Sequence, residues 1–301
     1  MTTAMTPVIV EAAVNGVTTP DRNPRVPRTP AEIAADASRC LVAGAAIVHS
    51  HNADMAVEAT RAAALYREAW DPVLRARPDA LWYPTVGFGG SIEERYRHVE
   101  LLAEAGVLRI GLVDPGSLNL GGTDEEGLPA PTDLIYVNTY RDIRHEVGLC
   151  ARYRLGPSIS IFEPGFLRTA LAYWRAGRLP AGALVKLYFG GQADYFGTRG
   201  SGVTFGLPPT RPSLDAYLAM LDGCPLPWSV AVLGGDVFAN GFAQLALERG
   251  GHLRVGLEDY AGPRTPSNEE LVREGVALCR ALGRPVASCA DAARMLGLPS
   301  A

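Results

Sequence analysis

The stretch Gly250-Gly251-His252-Leu253-Arg254-Val255-Gly256-Leu257-Glu258-Asp259 decides how the rest of the chain is interpreted. Its apolar residues predict a short buried strand that contains Arg254 and stops at two adjacent carboxylates. Side chains alternate between the two faces of a strand, so Arg254 and Glu258 are expected on one face and Asp259 in the turn beyond it. A pair of acids at the end of a strand indicates a functional site.

A second polar strand end occurs much earlier, in Ala45-Ala46-Ile47-Val48-His49-Ser50-His51-Asn52. The apolar run predicts a buried strand, and His49 and His51 emerge from one face of it. Two imidazoles and a carboxylate from separate strands form a common catalytic zinc set, with one position left open for water or substrate. We therefore predict a metal site formed by His49, His51 and Glu258. The alternative is that both histidines only bond the backbone.

Composition and charge narrow the class of protein. The chain has 301 residues, of which 48% are hydrophobic, and it fits one large α/β domain or two smaller ones. The net charge of −4 gives no basic footprint, so we expect no nucleic-acid partner. No apolar run reaches the roughly 18 residues of a membrane span, and the N-terminus lacks a secretory pattern, so we expect no membrane partner.

The cysteines indicate a reducing compartment. They are scattered without CxxC spacing, which argues against a disulfide framework and against a thiolate metal site. We expect reduced thiols and a cytoplasmic location. The five positions are Cys40, Cys150, Cys224, Cys279 and Cys289.

Apolar strands and helical segments alternate along the whole chain. This alternation predicts a parallel sheet, and eight units match a (β/α)₈ TIM barrel that occupies residues 1–301 as a single domain. An open doubly wound sheet is the alternative, because a sequence does not show closure. The predicted strands are 7–14, 45–49, 81–86, 108–113, 158–162, 184–189, 228–233 and 253–257, and the predicted helices include 29–42, 56–77, 132–153, 164–175, 213–221, 237–249 and 268–282.

The carboxyl ends of the predicted strands carry the candidate pocket residues. Catalytic groups gather at this end of a (β/α)₈ barrel. Closure of the sheet is required for the metal site, since only then are the second and eighth strands near neighbours. The irregular residues 190–212 predict a lid or binding loop, in which Arg199 could meet phosphate. Thr85, Gly89, Gly90, Asp114 and Ser117 are predicted to line the pocket.

With its strands placed, the chain resembles the β-keto acid cleavage enzyme family. The resemblance is carried by Ala43-Gly44-Ala45-Ala46-Ile47-Val48-His49-Ser50-His51, by Gly116-Ser117-Leu118-Asn119 and by the residues 251–259 quoted above. It implies a zinc-dependent (β/α)₈ barrel that takes a β-keto acid and acetyl-CoA and yields acetoacetate and a new acyl-CoA. It also implies a homo-oligomer, either a tetramer or a dimer.

The matched motifs imply a role for each site residue. His49, His51 and Glu258 would be zinc ligands, while Arg254 and Asp259 would form an acid–base pair. Zinc would hold the ketone oxygen and the carboxylate of the substrate and would stabilise the enolate. Asp259, oriented by Arg254, would remove the C2 proton.

Departures from the family pattern bear on the substrate. The acids that would meet an amino group correspond here to Thr18 and Ser160, and Glu11 in the first strand is a candidate replacement for one of them. A CoA-independent metal-dependent aldolase or hydrolase on the same barrel is one alternative function. A non-catalytic binding protein that retains the metal is another. The predicted substrate-binding residues are Glu11, Thr85, Gly89, Gly90, Asp114, Ser117 and Ser160.

Overall fold

The computed structural model describes residues 6–193 and 203–298. The elements there are numbered in chain order. The strands are β1 Val10–Ala13, β2 Ile47–Ser50, β3 Leu81–Pro84, β4 Ile110–Val113, β5 Leu118–Asn119, β6 Ile135–Tyr136, β7 Gly156–Ile161, β8 Leu184–Gly190, β9 Trp228–Leu233 and β10 His252–Val255. The helices are α1 Pro30–Ala43, α2 Ala59–Ala76, α3 Ile92–Glu104, α4 Tyr140–Tyr153, α5 Pro164–Arg175, α6 Arg211–Met220, α7 Phe242–Glu248, α8 Asn268–Ala281 and α9 Cys289–Leu296.

Eight of the strands form one parallel sheet that curves into a barrel. Their order is β3-β2-β1-β10-β9-β8-β7-β4. The two strands at the ends of this order, β3 and β4, lie side by side, although no ladder joins them in the described part of the chain. The barrel is therefore nearly closed, and the predicted (β/α)₈ fold is confirmed. No helix within the described ranges is long and apolar enough to cross a membrane.

The local sequence explains where the helices begin. Thr29 is the N-cap of α1, where its hydroxyl accepts from the Glu32 amide while the Glu32 carboxylate accepts from the Thr29 amide. This capping box satisfies two backbone donors that the first turn leaves free, and Pro30 suits the first helical position. The predicted start of this helix is confirmed. The same box recurs at α3, α4, α8 and α9.

The interior of the barrel contains a buried polar cluster, whereas a (β/α)₈ barrel is usually filled with Val, Ile and Leu. Glu11 on β1, Tyr83 on β3, Lys186 on β8 and Arg254 on β10 are all buried and are joined by hydrogen bonds. Apart from the neighbours β1 and β10, these strands are not adjacent in the sheet, so their side chains meet inside the barrel. The charged groups thus stand in the core of the barrel.

Several predicted boundaries are wrong. The helix predicted from residue 132 begins at Tyr140, because residues 135–136 pair instead with 118–119 as an antiparallel hairpin. The predicted helix 237–249 is a short 3₁₀ turn followed by α7, and α9 was not predicted. The last barrel strand ends at Val255, since Gly256 has φ +141° and lies so close to Ala13 that a side chain would meet its carbonyl. Glu258 and Asp259 therefore both lie in a turn.

The buried amide of Asn268 ties three parts of the chain together next to that turn. Its Nδ2 donates to the Val14 carbonyl at 2.7 Å and to Asp36 Oδ2 at 2.6 Å, and its Oδ1 accepts from the Leu257 amide at 2.8 Å. We expect Asn268→Leu to lower the free energy of unfolding by about 3 kcal/mol, because buried polar partners lose their hydrogen bonds. Denaturant unfolding measures this. Gln244→Ala, which removes an exposed amide bonded to Glu248, is the control and should change stability little.

Candidate active site

The three predicted metal ligands converge at the carboxyl end of the barrel. His49 lies on β2, His51 follows that strand, and Glu258 lies in the turn after β10. The Nε2 atoms of His49 and His51 are 3.0 Å apart. His49 Nε2 is 3.4 Å from Glu258 Oε2, and His51 Nε2 is 3.5 Å from Glu258 Oε1. One ligand atom from each residue lies within 4.8 Å of the other two, and all three residues are buried. The sequence prediction that these residues meet is confirmed.

The donor atoms of this cluster suit a divalent cation. His49 Nδ1 is 3.1 Å from the Tyr83 carbonyl, so this nitrogen donates and Nε2 presents its lone pair to the cluster. Burial lowers the pKa of His49 well below its ordinary value, which favours the neutral ligand form. Glu258 Oε2 is buried without a hydrogen-bond partner in the described chain. Two imidazole nitrogens and a carboxylate at such spacing match the ligands that zinc takes.

Arg254 is the hub of the buried charges. Its Nε donates to Asp259 Oδ2 at 2.8 Å, and its two terminal nitrogens contact Glu258 Oε1 at 2.8 Å and Glu11 Oε1 at 2.7 Å. The Tyr83 hydroxyl donates to the same Glu11 oxygen at 2.5 Å. One guanidinium thus holds three carboxylates in fixed positions, which a planar fork of five donors can do.

The two adjacent acids have opposite pKa shifts. Burial alone would raise the pKa of Glu258, but Arg254 and the two histidines hold it well below its usual value. Burial raises the pKa of Asp259 to about 6, against the opposing effect of Arg254 and with added repulsion from Glu258. Glu258 is therefore an anion suited to a cation, and Asp259 has a basicity near neutral pH that suits proton transfer.

A cavity of 110 Å³ opens beside the metal ligands. All three ligands line it, together with apolar side chains and a few polar ones. Arg254 and Asp259 do not belong to its walls but line a separate small cavity of 10 Å³. The polar residues of the main cavity, apart from the ligands, are Tyr83, Thr85, Asp114, Tyr136, Ser160, Lys186 and Tyr188.

Asp114 belongs to a second buried acid cluster. Its Oδ2 accepts from the Tyr136 hydroxyl, which the β5–β6 hairpin places over the cavity. Its backbone amide donates to Glu146 Oε2 at 2.8 Å. Burial, reinforced by the charge of Asp114, raises the pKa of Glu146 well above its ordinary value. Burial therefore disfavours the ionised form of Glu146, which lies behind Asp114.

The predicted substrate-binding residues occupy different places. Thr85, Asp114 and Ser160 line the main cavity. Gly89 lines an outer cavity of 350 Å³, while Gly90 precedes the N-cap of α3. These five positions keep their predicted roles as hypotheses.

The two remaining candidates have structural partners. Ser117 Oγ donates to the Asn138 carbonyl at 3.0 Å and accepts from its amide at 2.8 Å, which fixes the base of the hairpin. Glu11 accepts hydrogen bonds from Arg254 and Tyr83 and is not part of the cavity wall. A substrate role for either residue has no support from its contacts. Of the loop 190–212, residues 194–202, which include Arg199, lie outside the described residues.

Sequence reasoning missed four polar residues of the site, namely Tyr83, Tyr136, Lys186 and Tyr188. Lys186 is the one charge in the apolar strand 184–189, the same signal that drew attention to Arg254. Tyr83 is likewise a side chain with a polar group in a predicted buried strand, 81–86. Tyr136 could not be found in this way, because the hairpin that carries it was predicted as helix.

Ionisable side chains gathered at the carboxyl ends of an eight-stranded parallel barrel define a (β/α)₈-barrel enzyme site. A solved ternary complex of ObcA with a C4-CoA adduct and oxalate shares the fold, with a TM-score of 0.66 and 18% identity over 91% of this chain and 68% of that one. The sequence profile of the family described as beta-keto acid cleavage enzyme matches residues 7–298, and the chain belongs to that family.

Two curated relatives are similar over nearly their whole length. The 3-keto-5-aminohexanoate cleavage enzyme of Fusobacterium nucleatum is 29% identical over 98% of this chain and 99% of the relative. The 3-oxoadipate:acetyl-CoA acetyltransferase of Cupriavidus necator is 26% identical over 98% and 96%. The family resemblance stated from the motifs is therefore confirmed.

The buried contact between Glu11 and Arg254 predicts a large effect on stability. Glu11→Ala leaves one edge of a fully buried guanidinium and the Tyr83 hydroxyl without their acceptor. We expect the free energy of unfolding to fall by about 3 kcal/mol, because two buried donors lose their acceptor although Arg254 keeps Glu258 and Asp259 as partners. The control is Glu274→Ala, which removes an exposed ion pair with Arg264 and should cost less than about 1 kcal/mol. Equal effects in the two variants would contradict the hub assignment.

Proposed function

We propose that this chain is a zinc-dependent β-keto acid cleavage enzyme that uses acetyl-CoA as co-substrate. The observation that carries the proposal is the cluster of His49, His51 and Glu258, with Asp259 held beside it by Arg254. Membership of the family and the acetyl-CoA in the name of the Cupriavidus necator relative support the reaction class. A homo-oligomer and a cytoplasmic location, as expected from the sequence, belong to the same proposal.

The proposed reaction exchanges the acyl group of the keto acid. Asp259 takes a proton from C2 of the β-keto acid, and C2 then forms a bond with the acetyl carbonyl carbon of acetyl-CoA. As this bond forms, the acetyl thioester bond breaks and releases the CoA thiolate, which attacks C3. The bond between C2 and C3 then breaks, C3 stays on the CoA sulfur, and C2 takes back the proton from Asp259. The products are acetoacetate and the new acyl-CoA, so atoms and electrons balance without an oxidant or a reductant.

The side chains divide this work between them. His49, His51 and Glu258 would hold a zinc ion, which when bound supplies Lewis-acid stabilisation of negative charge on substrate oxygens. Arg254 orients the Asp259 carboxylate through Nε at 2.8 Å and keeps Glu258 ionised. A pKa of about 6 makes Asp259 a base strong enough to act near neutral pH while it is still largely ionised there.

The cavities offer a route for the co-substrate. The outer cavity of 350 Å³ and the inner cavity of 110 Å³ share Met55, Thr85, Val86 and Phe88 as walls. We assign the inner cavity to the keto acid and the outer one to the approach of the thioester. This order brings the acetyl group to the keto acid from the carboxyl end of the barrel.

Two substitutions separate metal binding from proton transfer. We expect His49→Ala to lose bound zinc, measured by elemental analysis, because one of three protein ligands is removed. Asp259→Asn should keep zinc but slow the exchange of C2 protons in D₂O, followed by NMR, by about 10²- to 10⁴-fold. His145→Ala, in α4 and outside the cluster, should change neither quantity. Normal exchange in Asp259→Asn would remove that residue from the role of base.

The requirement for acetyl-CoA distinguishes the proposal from an aldolase or a hydrolase. We expect acetoacetate to be released from an accepted β-keto acid only when acetyl-CoA is present, with one new acyl-CoA formed per acetoacetate. Coupled quantification of both products tests this, and desulfo-CoA is the control because it carries neither the acetyl group that C2 attacks nor the sulfur that accepts the acyl group. Cleavage at the same rate without acetyl-CoA would establish the CoA-independent alternative.

A further inference from the structure

Most of the large hydrophobic side chains on the surface lie in one short segment. Six such side chains are exposed in residues 6–193 and 203–298, and four of them fall within residues 128–140. Scattered exposed hydrophobic residues are common, but neighbouring ones indicate a surface that a partner covers. The four are between 45% and 78% exposed and are Leu128, Ile135, Val137 and Tyr140.

Two of these side chains belong to the outer face of the β5–β6 hairpin. Side chains alternate along a strand, so Ile135 and Val137 point away from the face that carries Tyr136. Tyr136 lines the inner cavity, whereas Ile135 and Val137 are exposed. The hairpin thus has one face on the cavity and an opposite apolar face that the described chain leaves uncovered.

The hairpin segment, residues 118–137, is also acidic. It contains no lysine or arginine but four acids, namely Asp124, Glu125, Glu126 and Asp133. Asp124 Oδ1 accepts from the Glu126 and Leu128 amides, so this acid fixes the turn of its own segment. The other three carboxylates have no Lys or Arg nitrogen within 4.0 Å among the residues that the structure describes. Their charges are therefore left for a partner.

A basic groove adjoins the base of the hairpin segment. It lies between α4 and α5, has a volume of 1120 Å³, and includes Tyr140, the first residue of α4. Three arginines line the groove, and no acid is among its described walls. None of the three has a carboxylate within 4.0 Å in residues 6–193 or 203–298. Glycines and alanines along both helices keep the groove wide, and its arginines are Arg144, Arg168 and Arg178.

The opposite charges of the hairpin segment and the groove are not joined within one chain, so a second copy can join them. Resting on the homo-oligomer of the proposed function, we propose that the acidic hairpin segment of one copy docks in the arginine groove of another. Because the two elements adjoin on one surface, a two-fold axis lets them make this contact twice. The contact covers Ile135 and Val137. The second copy then supports, from outside, the segment that holds Tyr136 at the cavity.

Two charge-reversed variants test the contact. Glu125→Lys/Glu126→Lys changes the hairpin segment, and Arg144→Glu/Arg168→Glu changes the groove. We expect each variant alone to sediment as a smaller assembly than the wild type. The dissociation constant of the contact should rise by at least about 100-fold, because like charges then face each other. An equimolar mixture should recover the wild-type size, since every hairpin segment then has an oppositely charged groove available.

A matched control separates this contact from a general effect of net charge. Glu68→Lys/Asp222→Lys makes the same change in charge at exposed acids on α2 and after α6, and it should keep the wild-type size. Circular dichroism checks that each variant is folded. If a charge-reversed protein does not fold, Glu125→Gln/Glu126→Gln or Arg144→Gln/Arg168→Gln replaces it, with an expected rise in the dissociation constant of about tenfold.

The outcomes separate this inference from the proposed function. A wild type that stays monomeric, or a mixture of variants that stays small, overturns the docking. Variants that keep the wild-type size also overturn it, although they leave the homo-oligomer in place. Weaker binding of CoA to the groove variant at unchanged size would give the groove to an anionic ligand instead. If no keto acid is turned over with acetyl-CoA but the mixture recovers the wild-type size, the proposed reaction fails and the docking surface stands.

Discussion

The buried guanidinium of Arg254 is the group on which the site depends. It is 1% exposed and contacts Glu11, Glu258 and Asp259, which come from the first strand of the barrel and from the turn after the last. Buried charges of one sign are tolerated only when groups of the other sign lie at hydrogen-bonding distance. The pairing of β1 with β10 sets Glu11 opposite Arg254 in register, so barrel formation itself supplies the counter-charge.

The pairing of Arg254 with carboxylates links the stability of the barrel to the chemistry of the site. Arg254 keeps Glu258 ionised for the cluster with His49 and His51, and it orients Asp259 in the same turn. The two neighbouring carboxylates differ because burial and the repulsion from Glu258 raise the pKa of Asp259 to about 6, whereas Arg254 and the two histidines hold the pKa of Glu258 well below its usual value. When two adjacent acids have different environments, their pKa values differ, and one site can then contain both a charged ligand and a base.

The barrel fold and the candidate metal ligands were predictable because side chains on strands alternate with a short and regular period. The alternation of strands and helices gave the barrel, and polar residues at strand ends gave His49, His51 and Glu258. What could not be predicted depends on contacts between distant segments. The orientation of Glu11 toward Arg254 follows from the register of two strands at opposite ends of the chain. The hairpin that places Tyr136 over Asp114 has strands of two residues each, too short for a periodic pattern.

The seam between β3 and β4 is the place where two neighbouring strands of the barrel are in contact without a ladder of backbone hydrogen bonds in the described residues. Tyr83 and Thr85 flank it on one side and Asp114 on the other, and all three line the inner cavity. Elsewhere in the ring, ladders of hydrogen bonds fix the distance between neighbouring strands. In the described part of the chain no ladder spans the seam, so side-chain packing contributes to that distance. Replacement of a few side chains there can widen or narrow the chamber without breaking a ladder, which gives evolution a route to new acyl chains on an unaltered catalytic core.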